Sequence, residues 1–327
     1  MVIRPKTFDD FHGQKDLVDY LRVAVKAASL RKITFGHTLF VGPAGLGKTT
    51  LATSVIPTEL QQSVRTINCS AIDKPQAFTA VVSTMREGEV LFLDEVHMLP
   101  PFAREHLLSV MEDNKLYVSL EGTDATNVIA VELKPFTVIG ATTRQGVLDA
   151  PLRTRFKHVL RLQPYDDSEM AEVATWVANS KGVTLVEDAQ APLINVARGT
   201  PRIIVNLIDA CIDSYVVAHE KVMGDSAPII EKSIALVTLD RLGYVLGFCA
   251  DEWHYLEYVF QHGPCSLKTI ASALDEQPRT VEEIYEAPFI QRGYLKITTQ
   301  GRVLTDCGSE VVHKRRVDAC IDKMELK

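Results

Sequence analysis

Leu39-Phe40-Val41-Gly42-Pro43-Ala44-Gly45-Leu46-Gly47-Lys48-Thr49-Thr50 decides how this chain is read. Residues 42–49 match the phosphate loop G-x-x-x-x-G-K-[ST] in full. The apolar lead-in Leu39-Phe40-Val41 predicts a short strand, and Thr50 to Val55 can begin a helix. Each part has a physical task. Glycines let successive backbone N–H groups curl around a phosphate, Lys48 supplies a mobile positive charge, and the Thr49 hydroxyl completes a magnesium shell. The N-terminal dipole of the following helix faces the anion. The expected ligand is a nucleoside triphosphate with Mg2+, cradled by Gly42, Pro43, Ala44, Gly45, Leu46, Gly47, Lys48, Thr49 and Thr50.

A second motif, Val90-Leu91-Phe92-Leu93-Asp94-Glu95, follows about 45 residues later. Four apolar residues predict a strand buried on both faces, and its C-terminal end is where parallel sheets bind ligands. Asp94 can hold the magnesium through water, and Glu95 can polarise the water that attacks the γ-phosphate. The pair points to hydrolysis as well as binding.

The chain has 327 residues, 46% of them hydrophobic and 24% charged, with a formal net charge of −7. That length predicts two or three domains. Met1-Val2-Ile3-Arg4-Pro5-Lys6 has no apolar signal core and no later run approaches a membrane span, so a cytoplasmic protein is expected. Cysteines at 69, 211, 249, 265, 307 and 320 never form C-x-x-C, which argues against a zinc site or a disulfide framework. The acidic balance argues against a grip on nucleic acid over the whole surface, although positive charge can be confined to one face. Lys314-Arg315-Arg316 is one candidate patch; the alternative is a solvated basic tail.

Residues 1–163 alternate strand-like and helix-like segments, as in an α/β ATPase domain. Val64 to Ile67 reads as a strand, Lys74 to Arg86 and Pro101 to Glu112 as helices, and Phe136 to Gly140 as a core strand ending in Thr142-Thr143-Arg144. Leu116 to Leu120 and Ile129 to Leu133 both alternate across Gly122-Thr123-Asp124, which predicts an inserted β-hairpin. From 164 to 238 the spacing is helical and no strand is expected. In 239–311, helices around Trp253 to Phe260, Leu267 to Leu274 and Val281 to Gln291 precede two strands, Tyr294 to Thr298 and Arg302 to Thr305. Three helices and a hairpin make a winged helix, a fold that often reads DNA. Glu282, Glu283 and Glu286 in its third helix are poor for phosphate contact, which leaves protein binding open. The remaining 312–327 reads as a basic tail.

From Arg4-Pro5-Lys6-Thr7-Phe8-Asp9-Asp10-Phe11 to about Gly308 the chain resembles the RuvB family, the AAA+ motors of bacterial Holliday-junction branch migration. The resemblance is carried by Gly42 to Thr49, Val90 to His97, Pro135 to Arg144, Pro151 to Phe156, Arg198-Gly199-Thr200-Pro201-Arg202 and Glu282 to Glu286. It implies a P-loop large domain with an inserted hairpin, a small all-α lid and a C-terminal winged helix. It also implies an ATPase that moves duplex arms of four-way junctions in recombination and repair, assembled as a ring, with a hexamer expected.

Residue by residue, the resemblance makes Thr142 or Thr143 the polar sensor of the lytic water. Arg155 becomes the arginine finger that reaches a neighbour's γ-phosphate, with Arg153 the runner-up. Arg202 is the second sensor, Tyr165 stacks on adenine, and Arg4 and Pro201 join the nucleotide contacts. The outer part of the 116–133 hairpin would dock a junction-binding RuvA-like partner, the alternative being that its apolar face packs on its own domain. Arg302, just after Gly301 at the return of the wing, is the candidate DNA contact.

The chain departs from the family at the wing, where Thr298-Thr299-Gln300-Gly301-Arg302 replaces the usual Thr-Pro-Arg-Gly-Arg and loses one cation. Two other readings compete. A clamp-loader-like switch is disfavoured by Thr154-Arg155-Phe156, which lacks Ser-Arg-Cys, and a non-motor DNA-binding scaffold has little need of Glu95 and Arg155.

Overall fold

The computed structural model describes residues 4–119, 128–144, 146, 148–219 and 227–325. Two compact units emerge, Met1–Val183 with Gly199–Ile208, and Thr184–Arg198 with Asp209–Lys327. The first therefore takes in Tyr165 and Arg202 along with the phosphate loop.

Seven strands lie in the described part of the first unit: β1 Thr38–Val41, β2 Val64–Asn68, β3 Val90–Asp94, β4 Lys115–Ser119, β5 Val128–Glu132, β6 Thr137–Thr142 and β7 His158–Arg161. Five of them form a parallel sheet in the order β2-β3-β6-β1-β7. Strands β1 and β6 are buried along their whole length and β3 along Val90 to Leu93, which is why they read as unbroken apolar runs. Parallel pairing sends every strand C-terminus to one edge. Because β6 lies between β1 and β3, the Thr142-Thr143 step falls between the phosphate loop and the acid pair.

The helix after the phosphate loop runs Lys48–Thr50, Leu51–Val55 and Ile56–Leu60, its middle part in π-helical geometry. Pro57 gives the reason: it has no N–H for an α-helical bond, and its ring needs a wider turn. The second unit repeats the device in Pro278–Thr280, Val281–Glu286 and Ala287–Gln291, where Pro288 follows the π segment.

Strands β4 and β5 pair antiparallel with Leu116 opposite Val131, the expected inserted hairpin. Leu116 is fully buried, and Val118 and Leu133 pack on the core of the first unit. The base of the apolar face is thus covered by its own domain, while Tyr117 and Ile129 are exposed. Leu120 and the tip 121–127 lie outside the described residues.

In the second unit, helices Glu187–Ala197 and Lys232–Arg241 pack together. Beside them the strands β8, Thr184–Leu185, and β9, Ile229–Ile230, pair in parallel. These strands are not expected from the sequence of 164–238, because two residues are too few to show alternation. The winged helix has helices Ala250–His262, Leu267–Ala273 and the Pro278–Gln291 run, then β10 Leu295–Thr298 and β11 Gly301–Leu304. Phe248, Trp253, Tyr255 and Phe289 fill its core.

The basic tail expected over 312–327 is instead helical as far as Glu325, within Asp306–Glu325. Val312 is buried in the winged-helix core, Arg315 pairs with Glu257 at 3.0 Å and lies 4.4 Å over the Trp253 ring, and Arg316 lies 4.9 Å over Phe260. Two of the three cations in the candidate patch are used in packing.

Candidate active site

The phosphate loop is shaped by its glycines. Gly42, Gly45 and Gly47 have φ of 150°, 85° and 102°, values that L side chains rarely adopt. A Cβ on Gly42 would sit 2.6 Å from the Leu162 carbonyl, and one on Gly47 would sit 2.8 Å from the Phe11 ring, so no larger residue fits. The loop is anchored where Gly42 N–H donates to Thr142 O at 3.2 Å. Pro43 and Ala44 are exposed at its crest, and Thr49 and Thr50 open the helix. Lys48 is buried, its Nζ donating to Gly42 O and Pro43 O at 2.7 Å each. Burial lowers its pKa, Glu95 and Asp94 oppose that shift, and Arg202 adds to it. A buried ammonium satisfied by two loop carbonyls, beside a helix N-terminus, fits a polyphosphate that would take over those contacts.

Asp94 ends β3, and Glu95 follows in the left-handed region at φ 50°. This turn takes the chain off the strand line into the short helical turn Val96–Met98, which returns His97 to the sheet edge. There His97 Nδ1 lies 2.9 Å from Thr142 Oγ1 and 3.1 Å from Glu95 Oε2. Thr142 is fully buried and also accepts Arg144 N–H at 3.0 Å. Thr143 is exposed and turns both its N–H, at 3.3 Å, and its hydroxyl, at 3.4 Å, toward Glu95 Oε2. Of the two threonines left open by the sequence, Thr143 is the one in reach of the acid, and Thr142 anchors His97. In the sequence, His97 stands out only as the end of the Val90 to His97 motif, and its signal is the Asp-Glu-x-His spacing after a buried strand. Cys69 is buried nearby, and burial, with Asp94 and Glu95 adding, pushes its thiol up to about 12, so it stays protonated.

Arg202 is brought to the loop by its own backbone, whose N–H donates to Gly45 O at 3.3 Å, and a Cβ on Gly45 would meet Thr200 at 2.7 Å and Arg202 at 3.2 Å. Pro201 opens the helix Pro201–Ala218, where its missing N–H costs nothing. Tyr165 departs from expectation. Its ring is buried against Gly13, and its hydroxyl donates to Leu46 O at 3.3 Å, so it braces the phosphate loop instead of presenting a face for adenine. Arg4 is exposed, and the adjacent Pro5 carbonyl accepts the Ser54 hydroxyl, which ties this segment to the nucleotide helix. Arg155 is half-buried and pairs with Glu112, while Arg153 is exposed.

In the wing, Arg302, the candidate DNA contact, is paired within its own domain. Its Nε and Nη2 fork onto Glu286 Oε1 and Oε2 at 2.8 and 3.1 Å, and the Tyr255 hydroxyl donates to the same Oε1 at 3.1 Å. The Arg302 side chain is 15% exposed and that of Glu286 1%. In β11 its backbone also pairs with Cys265, which turns the side chain toward the third helix. A cation after a hairpin glycine can face either way; here a buried carboxylate decides. The same contact explains one of the three acids that made the third helix look unsuited to phosphate. Gln300, at the tip, is exposed.

Comparison with known proteins agrees with this geometry. The family described as the Holliday junction DNA helicase RuvB P-loop domain matches residues 3–162, and the RuvB C-terminal winged helix domain matches residues 245–313. The chain is 37% identical over 307 residues to the Holliday junction branch migration complex subunit RuvB of Campylobacter fetus, covering 93% of this chain and 87% of that protein. It is 38% identical to its namesake in Chlorobaculum tepidum over the same shares. Among solved structures, the Thermotoga maritima RuvB Holliday junction branch migration motor superposes with a TM-score of 0.78 at 32% identity, covering 95% of this chain and 98% of that one.

Proposed function

The chain belongs to the RuvB family, and on that premise we propose that it works as an ATP-driven motor of Holliday-junction branch migration. The observation that carries this reading is the convergence of the phosphate loop, Asp94, Glu95, Thr143 and Arg202 at one edge of the parallel sheet. A regulator that only binds nucleotide has no use for a carboxylate held at that edge.

Lys48 and the loop N–H groups hold the triphosphate, and Arg202 adds charge from the helix that begins at Pro201. Thr49, and through water Asp94, would hold Mg2+, which when bound would offset the negative charge of the phosphate groups. Glu95 orients the attacking water and accepts its proton. Arg155 leaves Glu112 and serves a neighbouring subunit's site, which makes hydrolysis depend on a ring, with six subunits expected. The exposed Tyr117 and Ile129 of the hairpin meet a RuvA-type partner, and the winged helix meets duplex arms.

ATP turnover measured alone, with linear duplex, with a four-way junction and with a RuvA-type protein tests this reading. Stimulation by duplex and junction, raised further by the partner, is expected. Turnover indifferent to every DNA would overturn the motor and leave a nucleotide switch.

A further inference from the structure

We propose that His97 is a positioning residue for Glu95, and that a relay Thr142–His97–Glu95 sets the carboxylate for hydrolysis. This rests on the ATPase reading above and names a residue that neither motif assigns.

The geometry starts from the backbone. Asp94 already closes β3, so ending the strand needs no left-handed residue, yet Glu95 adopts φ 50°. For a side chain other than glycine that costs about 1–2 kcal/mol. What the turn achieves is the return of His97 beneath the end of β6. There one ring nitrogen meets both the buried Thr142 hydroxyl and the Glu95 carboxylate.

The proton can be assigned on physical grounds. An ionised carboxylate only accepts, so a lone pair on Nδ1 at 3.1 Å from Oε2 would be repelled. Nδ1 therefore carries the hydrogen, which it donates to Thr142 Oγ1 at 2.9 Å, with Glu95 Oε2 in ion-pair contact at 3.1 Å. Thr142 is itself fixed by Arg144 N–H and by its place inside β6.

Burial does not demand this arrangement. The Glu95 side chain is 38% exposed and could be hydrated in many rotamers, whereas that of His97 is only 9% exposed. Two Thr143 donors and the His97 Nδ1 contact nevertheless converge on the single oxygen Oε2, which leaves Oε1 as the basic lone-pair site. An acid held by one oxygen through a buried imidazole has the logic of a catalytic base oriented by a third group. A histidine that merely filled space would have no reason to share its nitrogen with a half-exposed carboxylate.

The test uses the full-length protein assembled on duplex DNA, with His97→Ala, His97→Asn and Glu95→Gln. Loss of the imidazole should lower kcat on the order of 10–100-fold with KM and nucleotide affinity unchanged. Asparagine, whose amide nitrogen can take the place of Nδ1, should recover most of that loss. In single-turnover hydrolysis, adding His97→Ala to Glu95→Gln should cause no further loss, because the relay has nothing left to position. The idea is overturned if His97→Ala keeps kcat within threefold, if nucleotide affinity falls in parallel with kcat, if asparagine rescues nothing, or if the two substitutions multiply. An unmodified chain without turnover, or a Glu95→Gln variant with normal turnover, would instead remove the ATPase reading.

Discussion

At the nucleotide edge of the sheet, Asp94 and Glu95 remain part-exposed and Arg202 is exposed, each at the end of an element with room for a ligand. In the winged helix, Glu286 and Arg302 close on one another beneath Tyr255, and its Glu252 closes on Arg198, which caps the helix Glu187–Ala197 and also donates to Gly247 O at 2.7 Å. Both regions carry charges at motif-like spacings, yet in one the charges are available for chemistry and in the other they hold the fold. The difference comes from the backbone. Parallel strands all end at one edge, where the sheet cannot pair the side chains that follow. A hairpin laid on a helix turns alternate residues inward, and a cation so placed needs a buried anion.

The strongest loss of activity is expected from substitution of Glu95. Glu95→Gln should cut hydrolysis by roughly 10²–10⁴-fold while nucleotide affinity, followed by titration with a fluorescent analogue, stays unchanged. A matching loss of affinity or of thermal stability would make Glu95 a structural acid of the Glu286 kind.

At the wing the expectation is reversed. Arg302→Ala leaves the Glu286 carboxylate buried and unpaired, so urea unfolding should show a loss of about 3–5 kcal/mol, recovered in large part by combining Arg302→Met with Glu286→Leu. Unchanged stability together with a lower salt slope of DNA binding would restore Arg302 as a phosphate contact. Gln300→Arg adds a cation at the exposed tip instead. It should steepen the dependence of log affinity on log salt by about 0.9 without moving the thermal midpoint.

The smallest effect separates the buried histidines of the sheet from these acid–base pairs. Burial lowers the pKa of His37, and burial with the Lys157 charge lowers that of His158. His37 Nδ1 accepts Val138 N–H at 3.0 Å and so is neutral in the fold. A histidine depressed in the folded state binds its proton more readily when unfolded, so stability is full above the ordinary value of 6.5 and declines as pH falls from there toward the folded value. His37→Asn, whose Oδ1 can accept the same N–H, should flatten the fall of thermal midpoint between pH 7 and 5. An identical slope in the variant would place the acid sensitivity elsewhere.

The order of strand, phosphate loop and helix, the acid pair, the inserted hairpin and the winged helix are all legible in the chain alone. Each is written in local terms: glycine where φ must be positive, unbroken apolar runs where both faces are covered, alternation where one is. What remained undecided concerned side chains whose partners are distant in the chain. Thr142 and Thr143 are adjacent and chemically alike, and only the register of β6 between β1 and β3 sends one into the core and the other toward Glu95. The role of His97 depends on a left-handed turn at a glutamate, which no propensity favours. Tyr165 faces Gly13, Arg302 faces Glu286, and Arg315 lies over Trp253, pairings separated by 152, 16 and 62 positions respectively. Tertiary structure decided these because burying a charge or a ring is governed by what packs above it, and that neighbour comes from another element.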